Sequence, residues 1–147
     1  MDAIQIKNAV LAALSVAGSV IANALGGWDA VMRVLVFLMA ADYITGVLLA
    51  AVWKRSPKSD SGALDSKVGF KGLCKKGMIL ILVWFGVLLD QALGAAYVRN
   101  AMVLFFIGNE GISLMENVGM MGVKYPAFIT KMLQALRDKG DNGGETE

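Results

Sequence analysis

The stretch Leu104–Gly119, LFFIGNEGISLMENVG, begins as a membrane span begins and then departs from it. Asn109 and Glu110 interrupt the apolar run, and Ser113, Glu116 and Asn117 follow. On a helix these polar side chains gather in one arc of about 120°, leaving Leu104, Phe105, Ile112 and Leu114 elsewhere. Such a helix cannot stand alone in lipid. It needs its polar face against other helices, against water in a pore, or flat on the membrane surface. Which of these holds decides how the rest of the chain folds.

The surroundings are those of a membrane protein. Hydrophobic residues make up 56% of the 147 residues, and the mean hydropathy is +0.60. The charges sit in blocks with long apolar stretches between them. A net charge of +2 is too mild to argue for nucleic acid. The lysines and arginines flank apolar runs, which is a topology signal and not a DNA-binding face. Histidine is absent and Cys74 is the one cysteine. Disulfides within the chain, Cys/His metal sites and histidine-dependent triads are thereby excluded, so no cofactor and no catalysis are expected. Asp2 and a single Lys7 ahead of two successive apolar runs do not read as a cleaved signal peptide.

A helix crosses the hydrocarbon in about 20 apolar residues. That criterion predicts an all-α, polytopic membrane protein with about four membrane-embedded helices, at 9–26, 28–53, 77–97 and 100–118. An amphipathic surface helix is predicted over 126–139, which closes a single domain of residues 1–139. Residues 140–147 read as a disordered polar tail. The second span carries a tryptophan at each end, Trp28 and Trp53, as interfacial anchoring requires. The loop Lys54–Lys76 holds seven Lys or Arg against two Asp and should face the cytoplasm. With four spans, both termini then fall on the cytoplasmic side of a bacterial inner membrane. The fourth helix either spans or lies in the interface.

Polar residues inside the spans are the candidate functional positions. In the first span Ser15, Ser19 and Asn23 lie on a small-residue face opposite Val10, Leu11, Leu14, Ile21 and Leu25. That face suits packing within one bundle, a subunit contact, or the wall of a wet lesion. Asp42 falls near mid-membrane, with Gly46 and Ala50 below it on the same face, and is a candidate for function or for packing. Asp90 and Arg33 should lie at similar depth in the outer third, where an ion pair between them would join the second and third helices. Glu110 should reach about the depth of Asp42. With the third span starting at Gly77, no lysine or arginine falls at that depth to neutralise either acid. A membrane state sensitive to protons or potential follows as a hypothesis. Unchanged activity of Asp42→Asn with Glu110→Gln under all proton-motive conditions would count against it.

Three stretches taken in order carry a resemblance: DYITGVLLA (Asp42–Ala50), DSKVGFKGLCKK (Asp65–Lys76), and GNEGISLMENVG (Gly108–Gly119) with a proline a few residues on. Together they resemble the phage holins of the family that includes the clostridial toxin-secretion holins. The likeness runs from about Arg33 to Leu136. It maps onto Asp42, Gly46, Ala50, Ser66, Lys67, Gly69, Gly72, Lys76, Asp90, Asn109, Glu110, Ser113, Glu116 and Asn117. It implies a homo-oligomer in membrane lipid that opens lesions for an endolysin or a toxin, with no chemistry of its own. The competing expectation is a small proton-coupled transporter or channel using Asp42 or Glu110. The chain shows no internal repeat of the kind many transporters carry.

Overall fold

The computed structural model describes residues 2–143, which form helices joined by turns, with no strand among them. In chain order these are α1 (Ala3–Ala24), α2 (Ala30–Leu48, continued by a π-helical turn over Leu49–Trp53), α3 (Ser66–Leu93), α4 (Val98–Met120) and α5 (Ala127–Asp141).

The helix ends follow from local chemistry. Asp29 caps α2, its carboxylate accepting from the Met32 amide at 2.9 Å. Asp65 caps α3 through the Lys67 amide at 2.8 Å. The ten residues from Lys67 to Lys76 are therefore helical, and α3 begins well before the apolar run that hydropathy marks at Gly77. Gly94 ends α3 in the left-handed region at φ 63°. Asp90 then reaches forward and accepts from the amides of Tyr97, Val98 and Arg99 at 3.1, 2.9 and 3.0 Å, capping the start of α4. The widened turn at Leu49–Trp53 buries Leu49 and Ala50 against the bundle and hands the chain to the loop through Lys54, which has positive φ. Gly62 also has positive φ, and a Cβ there would meet the Lys54 carbonyl.

α4 is the central helix. It packs on α2, α3 and α5. The shared core comprises Leu25, Met32, Leu35, Met39, Ile79, Val83, Val103 and Ile107. In lipid this burial exchanges acyl-chain contact for protein contact, so cohesion rests on close packing and on polar links between helices. α2, α3 and α4 alternate in direction. Arg99 meets Asp29 at one end of the bundle, and Lys76 meets Asp42 and Glu110 toward the other.

Among the described residues three helices are long and apolar enough to cross a membrane: α1, Ala30–Trp53 and α3. The expected count of about four is not reached, because α4 carries Arg99, Asn109, Glu110, Glu116 and Asn117 within its length. α4 nevertheless lies alongside α2 from Asp29 to Gly46, shielded on both sides. α1 stands apart and buries none of its residues. Its Ser15 and Ser19 hydroxyls donate to carbonyls of their own helix, Leu11 and Ser15, at 2.8 Å each. Packing of its small face within one bundle is therefore not what this protomer does.

α5 also differs from expectation. It is a helix through Asp141, so Gly140 and Asp141 belong to it and not to a tail. It does not lie across the end of the bundle. It folds back along α4, with Leu133 over Gly111, Arg137 over Gly108, and Gly140 against the backbone of Ala101 and Phe105. A Cβ at Gly108 would stand 2.5 Å from Leu133 O, and one at Gly140 would run into the α4 backbone, so glycine at both places permits the contact. Gly143 is consequently carried toward the Arg99 end. Of the tail expected over 140–147, Asn142 and Gly143 form a turn, and residues 144–147, with the expected cytoplasmic C-terminus, lie outside the described residues.

Candidate functional site

Lys76 is the centre of a buried polar cluster joining α2, α3 and α4. Its Nζ donates to Asp42 Oδ2 at 2.7 Å and to Glu110 Oε2. The three side chains are 11%, 6% and 4% exposed. Asn117, about two helical turns beyond Glu110 on α4, donates through Nδ2 to Asp42 Oδ1 at 3.1 Å, to the Asp42 carbonyl at 3.2 Å and to Thr45 Oγ1 at 3.1 Å. Thr45 donates in turn to the Ala41 carbonyl at 2.8 Å. No buried side-chain nitrogen or oxygen among the described residues lacks a partner.

Helical spacing explains the convergence. Met32, Leu35, Met39, Asp42, Gly46 and Leu49 recur every three or four residues on α2, and Gly69, Gly72, Lys76, Ile79, Val83 and Gly86 do so on α3. Each helix turns one continuous stripe to the bundle, apolar except at the level where Asp42, Lys76 and Glu110 meet. Asp42 lies 12 residues below Ala30, about 18 Å along the helix. Two carboxylates face one ammonium in a medium of low dielectric, where mutual attraction and desolvation are both large. Paired charges can remain there. Any one left alone could not.

Beside the cluster a cleft of about 770 Å³, counting its open mouth, runs to the Lys54–Asp65 loop. Gly46 and Ala50 of α2, Gly69 and Gly72 of α3, and Asn109 and Ser113 of α4 line it, with Ser56, Lys58 and Ser59 at the loop side. Small residues keep it open.

The expected site residues therefore divide. Asp42, Glu110 and Asn117 meet around Lys76, and Gly46, Ala50, Asn109 and Ser113 border the adjoining cleft. Glu116 is exposed. Ser15, Ser19 and Asn23 sit on the isolated α1. The expectation that no cation reaches the depth of Asp42 and Glu110 is overturned by Lys76, which sits ten residues inside α3 and turns inward. The expected Arg33–Asp90 pair does not form. Asp90 is engaged with the α4 amides, and Arg33 is exposed with no acid within 4 Å among the described residues.

The cation at that end is Arg99. Its Nη1 donates to Asp29 Oδ2 at 2.6 Å and to Asn100 Oδ1 at 3.0 Å, and its Nε to the Leu25 carbonyl at 3.0 Å. The Arg99 hydrogen bond holds the Asp29 carboxyl below its ordinary range, against a smaller opposing effect of burial. Neither Lys76 nor Arg99 stands out by residue type. The resemblance carried by DSKVGFKGLCKK includes Lys76, and the stripe spacing on α3 was the signal for its direction. Among the described residues no three His, Cys, Asp or Glu side chains gather as a metal site would need.

Comparison with known proteins gives a consistent picture. The family model described as "Bacteriophage holin family" matches residues 19–138. An uncharacterized protein of Listeria innocua is 38% identical over 131 residues, covering 88% of this chain and 86% of that one. An uncharacterized protein of Clostridium perfringens is 36% identical over 118 residues, covering 79% and 82%. A protein of Bacillus phage phi105 named "Probable holin" is 34% identical over 117 residues, covering 79% of each chain. No solved structure matches.

Proposed function

This chain belongs to the bacteriophage holin family, a family of non-enzymatic membrane proteins, and from that premise we propose that it accumulates in the bacterial cytoplasmic membrane, assembles with copies of itself and opens lesions. The lesions would release a murein-degrading endolysin or, as in the toxin-secretion relatives, a protein toxin. The family match over residues 19–138 carries this conclusion. Two structural features support it. The polar groups of α2, α3 and α4 satisfy one another inside the protomer, which suits a quiet state stable in lipid. The isolated α1, with Ser15, Ser19 and Asn23 on one face, offers a surface for a neighbouring copy. In this reading the Lys54–Asp65 loop, the exposed start of α3 and the N-terminus face the cytoplasm, because Lys54, Arg55, Lys58, Lys67, Lys71 and Lys75 form the densest positive charge.

Timed expression of the full chain in a bacterium tests the function. Abrupt growth arrest with loss of membrane potential is expected, with lysis only when an endolysin is co-expressed. Purified protein that never releases dye from liposomes at any protein-to-lipid ratio would falsify the lesion. Ion-coupled uptake without growth arrest would point instead to the transporter that Asp42 and Glu110 could serve.

A further inference from the structure

The least expected element is α5. Its composition is that of a surface helix, yet its position is not. α4 runs beside α2 from the Arg99–Asp29 contact to the Asn117–Asp42 contact. That is 18 residues of α4, about 27 Å, close to the thickness of a hydrocarbon core. α5 then returns along α4, and Gly108, Gly111 and Gly140 bring the two backbones together with no room for a Cβ. The contact is close-packed along most of α5, from Leu133 to Gly140. If α2 crosses the bilayer, α5 re-enters it.

The face that α5 turns away from α4 is charged. Lys131, Gln134, Asp138, Lys139 and Asp141 are exposed, and Leu133 and Gly140 are buried on the opposite side. α5 packs on α4 and on no other helix to a comparable extent. Lipid is a poor neighbour for this arc. Asp138 has Arg137 Nε at 3.6 Å, yet its side chain stays 66% exposed, and charged side chains beside a spanning helix face wet cavities or partners. The broad apolar exposed surfaces lie on α1, α2 and α3, where Val34, Phe37, Ile81 and Phe85 point outward, while on α5 only Phe128 and Met132 are exposed large apolar side chains, on one flank of the polar arc.

We propose that α5 is the water-facing wall of the open assembly, with Lys131, Gln134, Asp138 and Lys139 bordering the aqueous passage. This rests on the lesion-forming role proposed above and deepens it. In the polar arc of α4, for which the sequence leaves a pore as one option, Glu110 and Asn117 are instead engaged by Lys76 and Asp42, and Asn109 and Ser113 border the cleft. α4 serves as the spine that holds α5 in place. The mixed charges of the arc give a passage with weak preference between anions and cations.

Planar-bilayer recordings of the full chain provide the test, in a Cys74→Ser background with Gln134→Cys or Lys131→Cys. A bulky, membrane-impermeant, charged methanethiosulfonate should reduce the unitary current by about twofold or more, because it narrows and recharges the lumen. The same reagent on Phe85→Cys, at a lipid-facing position, should leave the current unchanged. Gln134→Cys keeps a small polar side chain and guards against loss of folding at Lys131. Thiols at 134 and 131 that resist the reagent while current flows would mean that a second copy or lipid covers the arc, and would overturn the proposal. So would a modified thiol with unaltered current, since α5 would then lie outside the lumen. Absence of current from the parent protein would instead bring down the lesion reading itself, and this proposal with it.

Discussion

The two polar ends of the bundle use the same ingredients and differ in what backs them. At one end Arg99 and Asp29 form a fork-like pair beside Asp90, and backbone groups share the load: Leu25 and Gly27 carbonyls accept from Arg99, and three α4 amides donate to Asp90. Asp29 is 46% exposed in its side chain, so water can replace what a mutation removes. At the other end Lys76, Asp42 and Glu110 hold one another through side chains alone, all deeply buried. The first is a clamp built into helix termini. The second is a lock whose parts depend on each other, where losing one partner leaves charge with no solvent to turn to. A protein that must stay quiet in lipid and later rearrange has its fixed point at the Arg99 end and its conditional point at Lys76.

The sharpest way to break this contrast is Lys76→Met. It strands two carboxylates in a dry interface and should cost about 3–5 kcal/mol, read as lowered resistance to thermal or chemical unfolding in detergent. The contrast is sharpened by adding Asp42→Asn and Glu110→Gln to the same chain. Neutralising all three should restore most of the loss, since the pairing gain and the desolvation cost nearly cancel. If the triple variant were as unstable as the single one, the cluster would be a source of stability in its own right and not a lock.

A smaller effect is expected at the other end. Arg99→Leu should cost about 2–3 kcal/mol in the same measurement, chiefly by orphaning the Leu25 carbonyl and loosening the α1–α2 turn. Smaller again is Asp90→Asn. One capping oxygen survives, so a loss of about 1 kcal/mol is expected, with fraying of the first turn of α4 seen as faster amide exchange there.

The Arg99 end also predicts a pH dependence with a definite sign. The Asp29 carboxyl is held below its ordinary value of 3.8 by the Arg99 hydrogen bond. Its contribution is therefore fully present above that value and is lost as the pH falls through the depressed folded value. An acid titration of unfolding in detergent should show a destabilising limb below about pH 4 that is shallower in Asp29→Asn. An unchanged limb would remove the pair from the account of stability. The smallest change is expected for Glu116→Gln, an exposed position, within about 0.5 kcal/mol of the parent.

How much of this was legible beforehand depends on what each residue's signal required. The membrane class, the all-helical fold and the three span-length helices followed from hydropathy and interfacial tryptophans, because these are summed over many residues. Asp42, Glu110 and Asn117 were legible as polar interruptions of apolar stripes. Lys76 was hidden by the convention that a span begins where hydropathy rises. The helix begins eleven residues earlier, at Ser66 behind the Asp65 cap, and a lysine placed outside the span was in fact inside the bundle. The Arg33–Asp90 pairing failed for a different reason. Equal depth does not give equal direction, and Asp90 was already committed to amides seven to nine residues ahead. The path of α5 was illegible because its amphipathic pattern is the same for a helix resting on a membrane and for one docked on a glycine-lined neighbour. Gly108, Gly111 and Gly140 distinguish the two cases only once they are known to face each other.

One consequence follows from the solitude of α1. The core starts at Leu25, and none of the 22 residues of α1 is buried. Nothing inside the protomer tells this helix which hydrophobic residue to carry at which position, so within a single copy it answers only to the thickness and greasiness of the bilayer. Sequence drift should therefore run fast along α1 wherever it meets acyl chains and slow wherever it meets a second molecule. The pattern of variation along this one helix would trace the outline of its neighbour.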